Sequence, residues 1–415
     1  MKPSSPLTAT RMSSPSDFTI FATIYHYVGS NNASIHHAVN CGPPMARVVA
    51  VVSNGCNPDP RVLREAGWLA DAGHDVTIHA FDRLENLPKE SHIDGVKIVR
   101  HSVGYTQYGG TWSTVRGLAK FRKAVIGAID EIDLIHCHDA DTLEIGLQVS
   151  KRSLAHDNST IPVLFDMHDL HHTWVLMPKP NSLIRPFFAG RFRRKKLNQA
   201  AQATDIVTSS EGFQNWLAER GLESTVVQNR PPIRESLPIA KKFTVGYLGR
   251  VREVESFRLL LDAVRLIPEG ERPSLLIAGD GNAAVNVANM VRLANSDGWL
   301  DAEVIGAFIS EQLPDMMAEI SVMYAMYPPS RGNIREGALP VKMFEAASFG
   351  RPSVVNSGCH MGEVCEAEGL GIATRWGDSQ ALADSLCKAH GTSVSLETDE
   401  VGEKERFLAI VANLL

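Results

Sequence analysis

The residues of this chain that could do chemistry collect at the ends of short apolar runs. After Val48–Val52 comes Ser53-Asn-Gly-Cys-Asn-Pro-Asp-Pro-Arg61. There Gly55 permits close backbone approach and Pro60 suits the opening turn of a helix, whose free N–H groups attract phosphate. After Leu134 comes Ile135-His-Cys-His138-Asp139, and after Val163 comes Phe165-Asp166-Met-His168-Asp169. Two His/Asp clusters at successive strand ends could hold a metal or line a polar substrate cleft. Later, Gly246-Tyr-Leu-Gly249-Arg250 places a permanent forked cation, suited to a diphosphate, behind a strand-ending glycine. In Pro340-Val-Lys342-Met-Phe-Glu345-Ala-Ala-Ser-Phe-Gly350, Lys342 and Glu345 fall three apart on one helical face. A carboxylate there can accept both hydroxyls of a ribose; as a plain surface pair the two are worth only a few tenths of a kcal/mol.

The elements that must position these groups follow from periodicity. Apolar strand-like runs alternate with amphipathic helices from Val48 to about Phe165, which implies a parallel, doubly wound sheet. Three prolines in Asn229-Arg-Pro-Pro-Ile-Arg-Glu-Ser-Leu-Pro break the pattern. It restarts with strands at Phe243–Leu248, Ser274–Ala278 and Ser353–Asn356, and a helix at Ser256–Leu266. The expected fold class is α/β, two Rossmann-like doubly wound domains facing across a cleft, at 45–230 and 241–390. Residues 1–44, rich in Ser, Pro, Asn and His, are expected to form a disordered leader, and 400–415 a C-terminal helix free to close on either domain. The 415 residues carry a formal charge of −6, which offers nucleic acid no global attraction. Six scattered cysteines suggest neither a disulfide framework nor a zinc knuckle, and no run approaches the roughly 20 apolar residues of a membrane span. A cytoplasmic location is expected.

Taken in order, Asp59-Pro-Arg-Val-Leu-Arg-Glu-Ala, Leu69-Ala-Asp-Ala-Gly-His-Asp-Val-Thr, Gly249-Arg250, Ala278-Gly-Asp-Gly281 and Pro340 to Pro352 resemble family 4 of the retaining glycosyltransferases, from about Val48 to about Leu386. The resemblance implies the GT-B fold and transfer of a sugar, with retained anomeric configuration, from a nucleotide diphosphate sugar to an acceptor hydroxyl. It places Gly55 under the donor phosphates, His138 along the donor sugar, Arg250 on the diphosphate and Glu345 on the ribose. Of these, His138 and Arg250 are expected to be catalytic. Asp139, His168, Gly249, Arg252, Gly279, Gly281, Glu336 and Lys342 are expected to bind substrate with Gly55 and Glu345. Such transfer uses no cofactor and no metal, so the His/Asp clusters are expected to line the cleft. The leaving phosphate oxygen helps deprotonate the acceptor, and the protein supplies orientation and charge stabilisation.

Two departures stand out. Where the family often has a lysine after the arginine, this chain has Glu255, with Arg252 the possible substitute. The family commonly spaces two glutamates with seven residues between them, whereas Glu336 and Glu345 have eight. A nucleotide-sugar epimerase and a non-catalytic scaffold on the same fold remain open; neither first loop gives the G-x-G-x-x-G of a dehydrogenase. The acceptor is expected to be a carbohydrate or a lipid-linked one. Six cations and three phenylalanines between Arg185 and Leu197 could dock an anionic membrane, or the rings could face inward while the cations meet solvent.

Overall fold

Two mostly parallel sheets account for the alternation read from the sequence. The computed structural model describes residues 45–106, 111–174 and 185–415; the expected leader at 1–44 lies outside them. The first sheet holds β1 (Arg47–Val52), β2 (Asp75–Phe81), β3 (Glu90–Ile93), β4 (Val96–His101), β5 (Leu134–His138), β6 (Val163–Met167), β7 (Asp205–Thr208) and β8 (Thr225–Val226). Its helices are α1 (Pro60–Asp71), α2 (Thr111–Ala128), α3 (Asp139–Asp157), α4 (His171–Trp174), α5 (Arg185–Ala200) and α6 (Glu211–Ala218). The second sheet holds β9 (Thr244–Leu248), β10 (Ser274–Ala278), β11 (Ala302–Ile305), β12 (Val322–Ala325), β13 (Ser353–Asn356) and β14 (Gly371–Thr374). Around it lie α7 (Val254–Leu266), α8 (Ala284–Ser296), α9 (Leu313–Glu319), α10 (Gly332–Arg335), α11 (Val341–Ser348), α12 (His360–Ala367) and α13 (Ser379–Ala389); α14 (Glu400–Leu414) ends the chain.

The strand orders are β3-β4-β2-β1-β5-β6-β7-β8 and β11-β10-β9-β12-β13-β14. Each order reverses once, between β1 and β5 and between β9 and β12. In open α/β sheets the crevice beyond the strand ends at such a reversal is where ligands bind. Central strands such as β1 and β9 are buried on both faces, which explains their unbroken Val, Leu and Tyr runs. The antiparallel β3–β4 edge was not read from the sequence. Its signal is Asp94-Gly95, with φ of 46° and 80°, the two left-handed residues of a tight hairpin turn.

Local chemistry sets the helix ends. Asp59 caps α1 through its side chain on the Val62 N–H, with Pro60 in the first turn. Gly350, at φ 79°, stops α11 while Arg351 N–H returns to the Ala346 carbonyl. The C-terminal α14 packs on the first sheet: fully buried Phe407 meets Trp68 at 5.8 Å and His136 at 5.5 Å between ring centroids. The halves touch at several points. Asn333 Oδ1 accepts from Leu170 N–H (3.0 Å) and the Thr173 hydroxyl (3.2 Å), and Arg230 grips Glu368 with two bonds of 2.8 and 2.6 Å. Gly212 and Gly337 meet backbone to backbone, and a Cβ on Gly212 would lie 2.5 Å from Gly337 Cα.

Candidate active site

On the first half, the reversal between β1 and β5 carries a buried charge network. His138 ends β5 fully buried, and its Nδ1 lies 3.0 Å from Asp166 Oδ2. The same oxygen lies 2.9 Å from His168 Nδ1, while His168 Nε2 meets Asp139 Oδ2 at 3.2 Å. Beneath them Arg61 Nε and Nη2 donate to the two oxygens of Asp166 at 2.7 Å each, and Nη2 lies 3.0 Å from Glu65. This fork fixes Asp166, and Asp166 fixes both histidines. Arg61 and Glu65 have no individual role in the sequence reading, and Asp166 enters it only within a His/Asp cluster expected to line the cleft. The available signal was a charged pair four apart on the buried face of α1, among Val62, Ala66 and Leu69.

Electrostatics follows the geometry. Burial opposes ionisation of Asp166, but Arg61 and then His168 outweigh it and hold its carboxyl well below the usual range. Burial also opposes charge on His168, yet Asp139 and Asp166 raise its pKa to about 10, so the ring is an imidazolium at neutral pH. Burial pushes Glu65 up against the opposing pull of Arg61, and pushes His136 well down. Glu65, His136, His138 and Asp166 bring ligand-capable atoms within 4.8 Å of one another. The Arg61 guanidinium already supplies one cation that touches both of these carboxylates.

Both loops at this reversal contain a left-handed residue that is not glycine, Cys56 at φ 47° and Asp139 at φ 65°. Backbone strain of this kind concentrates at functional sites. Gly55 sits in the first loop with its carbonyl accepting from Arg100 Nε at 2.8 Å and Leu87 packed against its Cα.

On the second half, the reversal between β9 and β12 gathers Gly249, Arg250, Arg252, Lys342 and Glu345. Gly249 has φ 128°, and a Cβ built there would lie 3.5 Å from Lys342 Nζ. The Lys342 amine, on α11, is buried with no hydrogen-bond partner and rests 3.4 Å from the Tyr247 ring centroid. Burial, reinforced by Arg331, lowers its pKa to about 7 against the pull of Glu345 and Glu253. Glu345, one turn on, is pushed up by burial, with Lys342, Arg64 and Arg234 pulling the other way. Arg250 is exposed and holds Asp280 through two contacts of 2.7 and 2.8 Å. Arg252 is partly buried, its pKa lowered by burial and then by Arg331. Glu255 occupies the first turn of α7, exposed to solvent.

Three predicted site residues have a structural explanation that needs no ligand. A Cβ on Gly279 would lie 1.9 Å from the Gly249 carbonyl oxygen, and one on Gly281 would lie 2.2 Å from that of Val251. These glycines let the β9–α7 and β10–α8 loops pack backbone to backbone, with Val251 N–H donating to the Asp280 carbonyl. Glu336 ends α10 and pairs with Arg335 at 2.9 Å. Among the described residues, none of its hydrogen bonds or ion pairs reaches Lys342 or Glu345; it lines a separate cavity with Arg193, Trp216 and Arg220.

The cations of the 185–197 segment divide between surface and core. Phe187 and Phe188 are 67% and 56% exposed, beside exposed Arg191, Arg193, Arg194 and Lys195. Phe192 turns inward under Lys196, whose amine bonds the Ala140 carbonyl at 2.6 Å. Among the described residues no helix is long and apolar enough to cross a membrane.

Comparison with known proteins agrees with this arrangement. The glycosyl transferase 4-like domain family matches residues 58–232, and the glycosyl transferases group 1 family matches residues 242–391. The succinoglycan biosynthesis protein ExoL of Rhizobium meliloti is 22% identical over 355 residues, covering 79% of this chain and 81% of that protein. Among solved structures, the sucrose-phosphate synthase of Thermosynechococcus elongatus superposes with a TM-score of 0.66 at 16% identity, over 88% of this chain and 94% of that one. Anabaena HepE, in complex with UDP and glucose, gives 0.61 at 16% identity, over 88% and 99%. The two family matches together span both sheets in the expected order, and the chain belongs to the family-4-like glycosyltransferases of GT-B fold.

Proposed function

We propose that the enzyme moves a hexosyl unit from a nucleotide diphosphate sugar to an acceptor hydroxyl with retention of configuration, in polysaccharide or glycolipid synthesis. The observation that carries the reading is the buried, unpartnered Lys342 amine beneath Gly249 and next to Glu345. A buried amine without an acceptor is costly, and a diphosphate over the Gly249–Arg252 loop would supply one. Lys342 would thus provide the cation that Glu255 does not. Arg250 would exchange Asp280 for phosphate, the α7 N-terminus would add its partial positive charge, and Glu345 would accept the ribose hydroxyls.

Across the cleft, the Asp166 contact holds His138 Nδ1, leaving Nε2, buried and unpartnered, as the ring's remaining polar atom for the donor sugar. The chain offers no step that needs its own nucleophile; it orients the sugar and stabilises the departing diphosphate. The complex of HepE with UDP and glucose supports a donor of this class, and the similarity to the succinoglycan biosynthesis protein ExoL supports a polysaccharide product. The exposed Phe187, Phe188 and adjoining cations suit a bilayer surface, at about 1 kcal/mol per basic residue, and hence a lipid-linked acceptor. The test is incubation with UDP-, GDP- and ADP-sugars and a panel of acceptors, with the product anomer read by NMR. An inverted anomer refutes retention; isomerised donor without transfer refutes the reaction class. Co-sedimentation with anionic but not neutral liposomes, lost at high salt, tests the surface.

A further inference from the structure

A second cavity, of about 280 Å³, opens where the halves meet, between α5, α6 and the segment from Pro329 to Glu336. It approaches the lower range of small-molecule sites. Its charged lining is unlike the rest of an acidic chain. Three guanidinium groups face it, Arg193, Arg220 and Arg335, against one carboxylate, Glu336, which Arg335 already holds at 2.9 Å. Arg193 is exposed with no ion pair among the described residues. Arg220 lies over Trp216, 4.0 Å from the ring centroid, with one Nη on the Trp216 carbonyl and on the exposed Glu219 carboxylate at 3.1 Å, and His172 stacks against the same indole at 5.5 Å. The cavity therefore offers an apolar aromatic wall and a net positive lining, with Arg193 the guanidinium that holds no carboxylate among the described residues; the fork geometry matches carboxylate or phosphate oxygens.

We infer that this cavity is an acceptor subsite for a saccharide bearing an anionic group, a phosphate or a carboxylate. The inference rests on the glycosyltransferase reading, and it assigns the acceptor side what Lys342 and Arg250 are to the donor side. The cavity shares α5 with the exposed Phe187 and Phe188, so the phosphate can belong to a soluble sugar or to a lipid carrier lying on the bilayer.

The test is calorimetric binding of glucose, glucuronate and glucose 1-phosphate to the full chain saturated with whichever donor nucleotide it binds. The variants are R193A/R335A, both at exposed positions, and R250A. The two anionic sugars should bind about tenfold more tightly than glucose, the advantage should fade with salt, and R193A/R335A should remove it while leaving the melting temperature and nucleotide binding unchanged. A farnesyl-diphosphate-linked glucose that outbinds glucose 1-phosphate on vesicles would assign the lipid source; equal binding would assign the soluble one. Equal affinity for glucose and the anionic sugars overturns the inference, as does an advantage lost in R250A but kept in R193A/R335A, which would put the anion in the diphosphate site. Failure of the wild-type chain to bind any sugar nucleotide is a separate result and sinks the donor reading instead.

Discussion

If a diphosphate comes to rest on Lys342, donor binding must take up a proton. The amine sits near pH 7 in the free protein, against an ordinary value of 10.5, because burial and Arg331 disfavour its charge more than Glu345 and Glu253 restore it. At pH 8 such a group is about one-tenth protonated, so a donor that binds only the ammonium form draws about 0.9 proton from solution; at pH 6 it draws about 0.1. Affinity should accordingly weaken by about 90-fold between pH 6 and pH 9, or about 2.7 kcal/mol. The groups facing the amine are Tyr247, Tyr327, Glu253, Arg252, Arg331 and Glu345; the two tyrosines are raised by burial, so neither ionises in this window. A nucleotide sugar is the proper ligand, since its doubly esterified diphosphate does not titrate there either.

The assay is calorimetry in buffers of different ionisation enthalpy, phosphate and Tris, at pH 6 and pH 8. The slope of observed against buffer enthalpy counts protons directly. An uptake below about 0.2 proton at pH 8, or an uptake that survives in Lys342→Met, would refute the assignment. Stability gives an independent check of the sign. A lysine depressed in the folded state binds more protons when unfolded between about 7 and 10.5, so its contribution makes the chain more stable as pH rises through that window. Lys342→Met should flatten that rise.

Three further outcomes are expected. Arg250→Ala should lower kcat/KM by about tenfold to a hundredfold, the loss of a charge-assisted contact to the leaving diphosphate, with an unchanged melting temperature; unaltered efficiency in a steady-state assay would remove Arg250 from the reaction. Glu345→Gln should weaken nucleoside diphosphate and nucleotide sugar alike in equilibrium binding, and a change confined to sugar discrimination would contradict a ribose contact. Phe407→Ala, which empties a fully buried site between Trp68 and His136, should cost about 3–5 kcal/mol in denaturant unfolding; a loss below about 1 kcal/mol would mean α14 contributes little to the first sheet.

The alternation of buried strands and amphipathic helices was legible because a parallel sheet covered on both faces leaves unbroken apolar runs, as in Val48–Val52 and Thr244–Leu248. Helix ends were legible for a similar reason: Pro60 and Gly350 each satisfy a backbone requirement that only a few residue types meet, whereas the Asp59 cap was not read. What escaped was short or paired at long range. The four residues of β3 show little burial, and two-residue β8 is too brief to carry a period. The inward turn of Phe192, with Phe187 and Phe188 left outside, depends on where Ala140 and Lys196 lie in space.

The buried network shows why sequence reading finds the ends of such a site before its middle. His138, His168 and Asp139 follow strands, where a polar residue after an apolar run announces a loop over the cleft. Arg61 and Glu65 sit inside an amphipathic helix, where spacing alone reads them as a surface pair worth a few tenths of a kcal/mol. Their 5% and 0% exposure shows the opposite: both charges are taken out of water, and each is tolerable only because Asp166, 105 residues away, closes the set. Removing one member strands the rest. Deleting one partner of a buried pair costs about 3–5 kcal/mol, so Asp166→Asn should destabilise the fold as well as free His138. The two effects can be separated by their pH course. Asp166 is depressed in the folded state, so its stabilisation is present above the unfolded carboxylate pKa near 4 and is lost as pH falls below it. Wild type should therefore lose its stability advantage over Asp166→Asn in acid. The misplacement of His138 should persist at every pH, and an Asp166→Asn enzyme that recovered full kcat in acid would show that Asp166 does not position the histidine.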